Sequence, residues 1–116
     1  MIRIELRKAG SGYACRAAGH AGYGPAGSDI VCAAVSALLW TLLMGWERLE
    51  KEKRGAIAAR VMNPGQADLR FYARDGEERG AGDLFCAVEE GLRLIHQEYP
   101  GCVVIVPENE QKGETV

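Results

Sequence analysis

A histidine, a cysteine and a string of glycines between them are the residues of this chain whose types and spacing suit covalent chemistry. His20 stands twelve positions before Cys32, and Gly22, Gly24, Pro25 and Gly27 lie between them. Those residues resist regular structure and are read as a mobile loop. Ser28 reads as the N-cap of a helix, because its hydroxyl can accept from a free N–H of the first turn. Asp29 then suits the first turn, where the positive end of the helix dipole favours a carboxylate. Cys32 falls in about the same turn, and there the dipole favours thiolate over thiol. A loop that folds His20 back onto Cys32 gives an activated nucleophile with its base. The plainer alternatives are a cysteine that is only a small buried hydrophobe and a histidine that is only a turn residue.

Two further side chains belong to this neighbourhood. Asp29 lies three residues before Cys32 and shares a helix face with it, so it could orient His20 or bind a substrate N–H. It would also oppose the dipole at the thiol, and a capping or first-turn role is its plain alternative. Ser36 lies one turn beyond Cys32 on the same face, placed either to hydrogen-bond within the site or back to the helix. Backbone N–H groups left free at the helix start are candidates for an oxyanion hole.

The elements that must hold these residues can be read from hydrophobic period. Ile2, Ile4 and Leu6 alternate with Arg3, Glu5 and Arg7, then Gly10-Ser11-Gly12 turns the chain and Tyr13, Cys15 and Ala17 alternate again. This predicts a β-hairpin whose second strand delivers His20 at its end. Residues 30–46 carry no charge. That is near the lower limit for a membrane span, but Ser36, Thr41 and Gly45 interrupt it, and it is read as a core helix. One sheet covers only one side of such a helix, so some of Leu39, Trp40, Leu43, Met44 and Trp46 are expected to meet a second copy of the chain. Residues 47–54 form its charged end, with Glu47 and Lys51 as a pair one turn apart.

A second hairpin follows, with strands over 56–62 and about 68–73 and an Asn63-Pro64-Gly65 turn; nothing in it demands chemistry. After an exposed link at Glu77-Glu78-Arg79-Gly80, a helix is predicted over 83–98, capped by Asp83 and striped by Leu84, Val88, Leu92, Ile95 and Tyr99. Cys86 is read as packing and His96 as surface. The run Cys102–Val106 is apolar throughout, as in an inner strand buried on both faces. Pro107 ends it, and residues 108–116 read as a disordered polar tail.

The bulk properties fit one domain over residues 1–107. The chain has 116 residues, 47% hydrophobic and 26% charged, with a net charge of −2. That balance argues against nucleic acid as a direct partner, because phosphate binding needs a basic face. The four cysteines form no CxxC pair, and no secretory pattern opens the chain, so they are read as reduced and the protein as cytoplasmic. A zinc site from Cys15, His20 and Cys32 lacks the usual paired ligand spacing, and no metal or cofactor is expected.

The run Gly19-His20-Ala21, the glycine loop, and Asp29-Ile30-Val31-Cys32-Ala33-Ala34-Val35-Ser36 together resemble the ribosomal-processing cysteine protease family called Prp. The resemblance is continuous from Asp29 to Leu39 and weaker over the rest of the chain. It implies a catalytic dyad carried here by His20 and Cys32, and a homodimer. It also implies an endopeptidase that removes a short N-terminal extension from a large-subunit ribosomal protein, cutting after an aromatic residue and before a small one. Gly19 belongs to the matching run, and Gly22, Tyr23 and Gly24 would lie in a loop that closes over the extended peptide. A non-catalytic ribosome-associated binding module is the alternative, with Cys32 as packing and the loop as a docking surface. The fold expected is α+β: a two-layer sandwich of order ββαββαβ, with a mixed sheet and two helices, dimerising through the long apolar helix.

Overall fold

The computed structural model describes residues 1–111. Its first strands are β1 (Ile2–Ala9) and β2 (Gly12–Ala18), an antiparallel hairpin in the register Leu6 opposite Cys15. The alternation sorts their faces as expected: Ile2, Ile4, Tyr13, Cys15 and Ala17 are buried, while Arg3, Glu5 and Arg16 line the opposite, open side of the sheet. The second hairpin is β3 (Gly55–Asn63) and β4 (Gln66–Ala73), with a bulge between Ile57 and Ala59. Its turn has Pro64 and then Gly65, whose φ of +76° is the left-handed value that position three of a type II turn requires. β4 pairs antiparallel with β2, setting Leu69 opposite Cys15.

The last strand, β5 (Val103–Ile105), pairs parallel with β1, and the five strands run in the order β3-β4-β2-β1-β5. This corrects the inner position expected from its apolar run: β5 is an edge. Its burial comes from a helix and from the chain that follows it. His96 Nδ1 lies 2.6 Å from the Val103 carbonyl, and Gln111 Nε2 donates to the carbonyls of Leu6 and Val106. Within the segment read as a disordered tail, Glu108–Glu110 make one 3₁₀ turn; residues 112–116 lie outside those described.

Two helices cover one face of the sheet. α1 spans Ile30–Lys51 and buries Val31, Val35, Leu39, Leu42, Leu43, Trp46 and Leu49, a stripe repeating every three or four residues. α2 spans Glu78–Glu98 and buries Ala81, Gly82, Phe85, Val88 and Leu92. It starts five residues earlier than expected, with Glu77 at its cap turning its carboxylate to Arg54 and not to the helix N–H groups, so the supposed link is its first turn and Asp83 lies inside it. At the far end of α1, Glu47 pairs across to Arg60 of β3.

α1 is long and apolar enough to cross a membrane by length and composition, yet here it lies on β3, β4 and α2. α2 supplies cover that the sheet alone could not. Leu38 packs over Gly91 and Leu84 over Gly45, so small residues let the two helices approach. Trp46, Leu43 and Leu39 are thereby buried within the chain, and Trp46 stacks on Phe71 and Phe85 at centroid distances of 5.4 and 6.2 Å. Of the side chains expected at a partner, only Trp40 (45% exposed) and Met44 (63%) remain open.

Candidate active site

β2 ends at Ala18 and Gly19 follows with φ +102°. A side chain at Gly19 would run into the Met1 carbonyl, so only glycine makes this corner. The corner sends His20 off the end of the strand, exposed to solvent. The Gly19 N–H donates to the Gly65 carbonyl at 3.0 Å, which ties the corner to the β3–β4 turn.

Cys32 is the third residue of α1 and is half-buried. Its sulfur accepts the Ala21 N–H at 3.3 Å, so the residue after His20 already touches the thiol. The loop therefore folds back onto the start of α1 through Ala21. His20 and Cys32 face the same cavities, and no hydrogen bond joins the two side chains.

Asp29, and not Ser28, is the N-cap. Its backbone is extended (φ −81°, ψ 108°), and its Oδ1 accepts from Val31 N at 2.9 Å and Cys32 N at 3.0 Å. Ser28 turns back instead, with both its N–H and its hydroxyl on the Pro25 carbonyl. Asp29 Oδ2 accepts from Tyr23 N at 2.9 Å and Gly24 N at 3.1 Å. One buried carboxylate thus fastens the glycine loop to the helix start. The Cys32 N–H first, and then those of Gly24, Tyr23 and Val31, hold it below the usual aspartate range against the opposing effect of burial. This changes the oxyanion expectation: the Val31 and Cys32 N–H groups are taken by Asp29 Oδ1, and the Ala33 N–H by the Asp29 carbonyl.

Two cavities meet at the cysteine. One, of about 100 Å³, has apolar walls from Ile2, Val35, Leu39 and Met62. The other, of about 410 Å³, lies under the loop against Gly22, Gly24, Gly27 and Asp29. His20, Cys32 and Ser36 line both. Ser36 is exposed, and among the described residues its hydroxyl makes no hydrogen bond back to the helix. Tyr23 stands outside, edge-on to Tyr99 at 5.2 Å. Met62, Asn63, Pro64, Gly65 and Gln66 of the second hairpin also line these walls. Nothing in the local residue pattern marks their role beyond the proline–glycine turn itself.

The other cysteines lie elsewhere. Cys15 is wholly buried, and burial, with Asp68 and Glu89 adding to it, pushes its thiol up to about 12. Cys86 is exposed and Cys102 half-buried, and all four thiols are free.

An α+β sandwich that sets a histidine and a helix-borne thiol around one cleft suits a cysteine peptidase. The family described as cysteine protease Prp matches residues 1–104, and the chain belongs to that family. No curated protein matches the sequence. Solved structures share the fold. The essential ribosomal processing protease Prp of S. aureus, with a covalently linked product peptide, aligns at TM-score 0.69 and 20% identity, covering 90% of this chain and 97% of its own. The same protease with a substrate peptide aligns at 0.64 and 20%, covering 91% and 98%. The SMU.848 protein of Streptococcus mutans aligns at 0.65 and 24%, covering 90% and 91%.

Proposed function

We propose that this cysteine protease removes a short N-terminal extension from a large-subunit ribosomal protein, with Cys32 as nucleophile and His20 as acid and base. The observation that carries the reading is the placement of His20 and Cys32 on the shared wall of two cavities, with the Ala21 N–H on the sulfur. The substrate rests on family membership and on the relative from S. aureus, which is a ribosomal processing protease.

The Cys32 thiolate attacks the scissile carbonyl, and a C–S bond forms as the carbonyl oxygen takes up negative charge. His20 gives its proton to the departing amine as the C–N bond breaks. His20 then takes a proton from water, whose oxygen attacks the thioester and releases the acid and the thiolate. The Ala21 N–H, which no helix or cap bond holds, donates to the sulfur and passes to the developing oxyanion once the sulfur bonds carbon; one such donor is worth about 10²–10³ in rate. The small apolar cavity takes the aromatic side chain before the cut. The glycine loop, with Gly22, Tyr23 and Gly24, closes over the extended peptide.

The exposed Trp40 and Met44 on α1 are the seat of a homodimer, and the enzyme works in the cytoplasm on a basic protein substrate. Residues 1–107 act as one domain.

The test is cleavage of a peptide carrying such an extension by wild type, Cys32→Ala and His20→Ala. Wild type alone is expected to cut. Cutting by either variant at the wild-type rate overturns the dyad. A monomer by light scattering at micromolar concentration overturns the dimer.

A further inference from the structure

A catalytic base in a thiol or hydroxyl hydrolase is ordinarily held by a third group that bonds its far nitrogen. Among the described residues His20 has no such partner: no carboxylate, amide or carbonyl bonds either ring nitrogen. The ring is also exposed, so core packing does not fix it. Something else must decide where it points.

The β3–β4 turn lies against it. A Cβ built on Gly65 would stand 2.8 Å from His20 Nε2, 3.1 Å from Cε1 and 3.6 Å from Cδ2. The ring therefore rests on the bare face of the glycine. Gly65 also anchors the chain just before the ring, through the Gly19 N–H on its carbonyl at 3.0 Å. Pro64 before it has a fixed φ, and lines the larger cavity beside His20. The seat is stiff, and it touches both the ring and its backbone.

Resting on the dyad reading above, we infer that Gly65 is a positioning residue for His20, and that the β3–β4 turn serves in place of a hydrogen-bonded third member. A glycine here meets two separate demands. Its φ of +76° suits the turn, and its missing side chain leaves room for the imidazole. Two other turn glycines meet only the first demand: Gly10 (φ +58°) and Gly76 (φ +86°) have nothing within 4 Å of a built Cβ.

The experiment compares Gly65→Ala, Gly65→Asn, Gly10→Ala and Gly76→Ala with wild type and His20→Ala in one peptide assay, with thermal melts of each. Asparagine tolerates a left-handed backbone, so Gly65→Asn relieves the strain and keeps the collision with the ring. Displacing a reacting group by about 1 Å costs about 10²-fold, so both Gly65 variants should lose kcat on that scale. Gly65 also lines the small cavity, so KM can rise too, and the loss of kcat at saturating peptide is the readout for His20. Gly10→Ala and Gly76→Ala should lower the melting temperature and leave kcat alone. The His20 ring signals in an NMR spectrum should move in the Gly65 variants only.

If Gly65→Asn keeps wild-type kcat while His20→Ala is dead, this inference fails and the dyad stands. If His20→Ala keeps wild-type turnover, the dyad itself fails.

Discussion

One carboxylate oxygen of Asp29 accepts the backbone N–H of Cys32 at 3.0 Å, while its second oxygen accepts from Tyr23 and Gly24. The turn of helix that carries Cys32 and the loop above it thus hang from a single side chain. Asp29→Ala should release both. Amides of Tyr23 and Gly24 should lose protection in hydrogen exchange, and the melting temperature should fall.

The same carboxylate gives a pH dependence of known sign. Its folded state favours the charged form, chiefly through the Cys32 N–H, so its proton affinity lies below the ordinary value of 3.8. Such a group adds stability above its unfolded value and loses it as pH falls through the folded one. The urea midpoint should therefore drop as pH is lowered from about 5 toward about 2, and Asp29→Asn should flatten that drop. Equal losses in both proteins would show that Asp29 does not titrate with folding.

Cysteine reactivity should separate the four thiols. Iodoacetamide near neutral pH should mark Cys32 first, then the exposed Cys86, then the half-buried Cys102. Cys15, wholly buried and held as a thiol, should react only after unfolding. Mass spectrometry after a timed quench reads the order. Cys86 reacting ahead of Cys32 would remove the case for an activated nucleophile.

The two tryptophans of α1 should behave oppositely. Trp46 is fully buried against Phe71 and Phe85, and Trp46→Ala should cost about 3–5 kcal/mol. Trp40 is 45% exposed, and Trp40→Ala at low protein concentration should stay within about 0.5 kcal/mol. Denaturation midpoints decide this.

Ser36 lines both cavities beside Cys32 and His20. If its hydroxyl bonds the bound peptide, Ser36→Ala should lower kcat/KM by up to about tenfold, the worth of one neutral hydrogen bond. The melting temperature should not change. An equal loss of stability would assign Ser36 to the helix alone.

Much of the fold was legible because period and packing agree. Ile2, Ile4, Tyr13, Cys15, Leu69 and Phe71 alternate and are buried on one face, so both hairpins follow from sequence. The placement of β5 did not follow, because an apolar run looks the same in an inner strand and in an edge strand covered by a helix. The start of α2 was missed because Glu77 caps without a side-chain bond to the helix N–H groups. Ser28 and Asp29 are both good caps in adjacent positions, and local preference cannot choose between them. Asp29 is distinguished by its second oxygen, which bonds back to Tyr23 and Gly24 in the preceding loop.

At the site, His20, Cys32 and Asp29 were readable because they lie within thirteen residues of one another. Gly65 was not. Its contact with His20 depends on β4 pairing with β2, a non-local event with no trace in local composition. Asn63-Pro64-Gly65 announces a turn and says nothing of what the turn touches.

The parallel pairing of the first strand with the last has a temporal consequence. Ile2, on the wall beside Cys32, is aligned with Val103, and its N–H bonds the Cys102 carbonyl at 2.8 Å. That wall is finished only after synthesis has passed about a hundred further residues. A half-made chain still on the ribosome carries the thiol and the imidazole without the complete cleft.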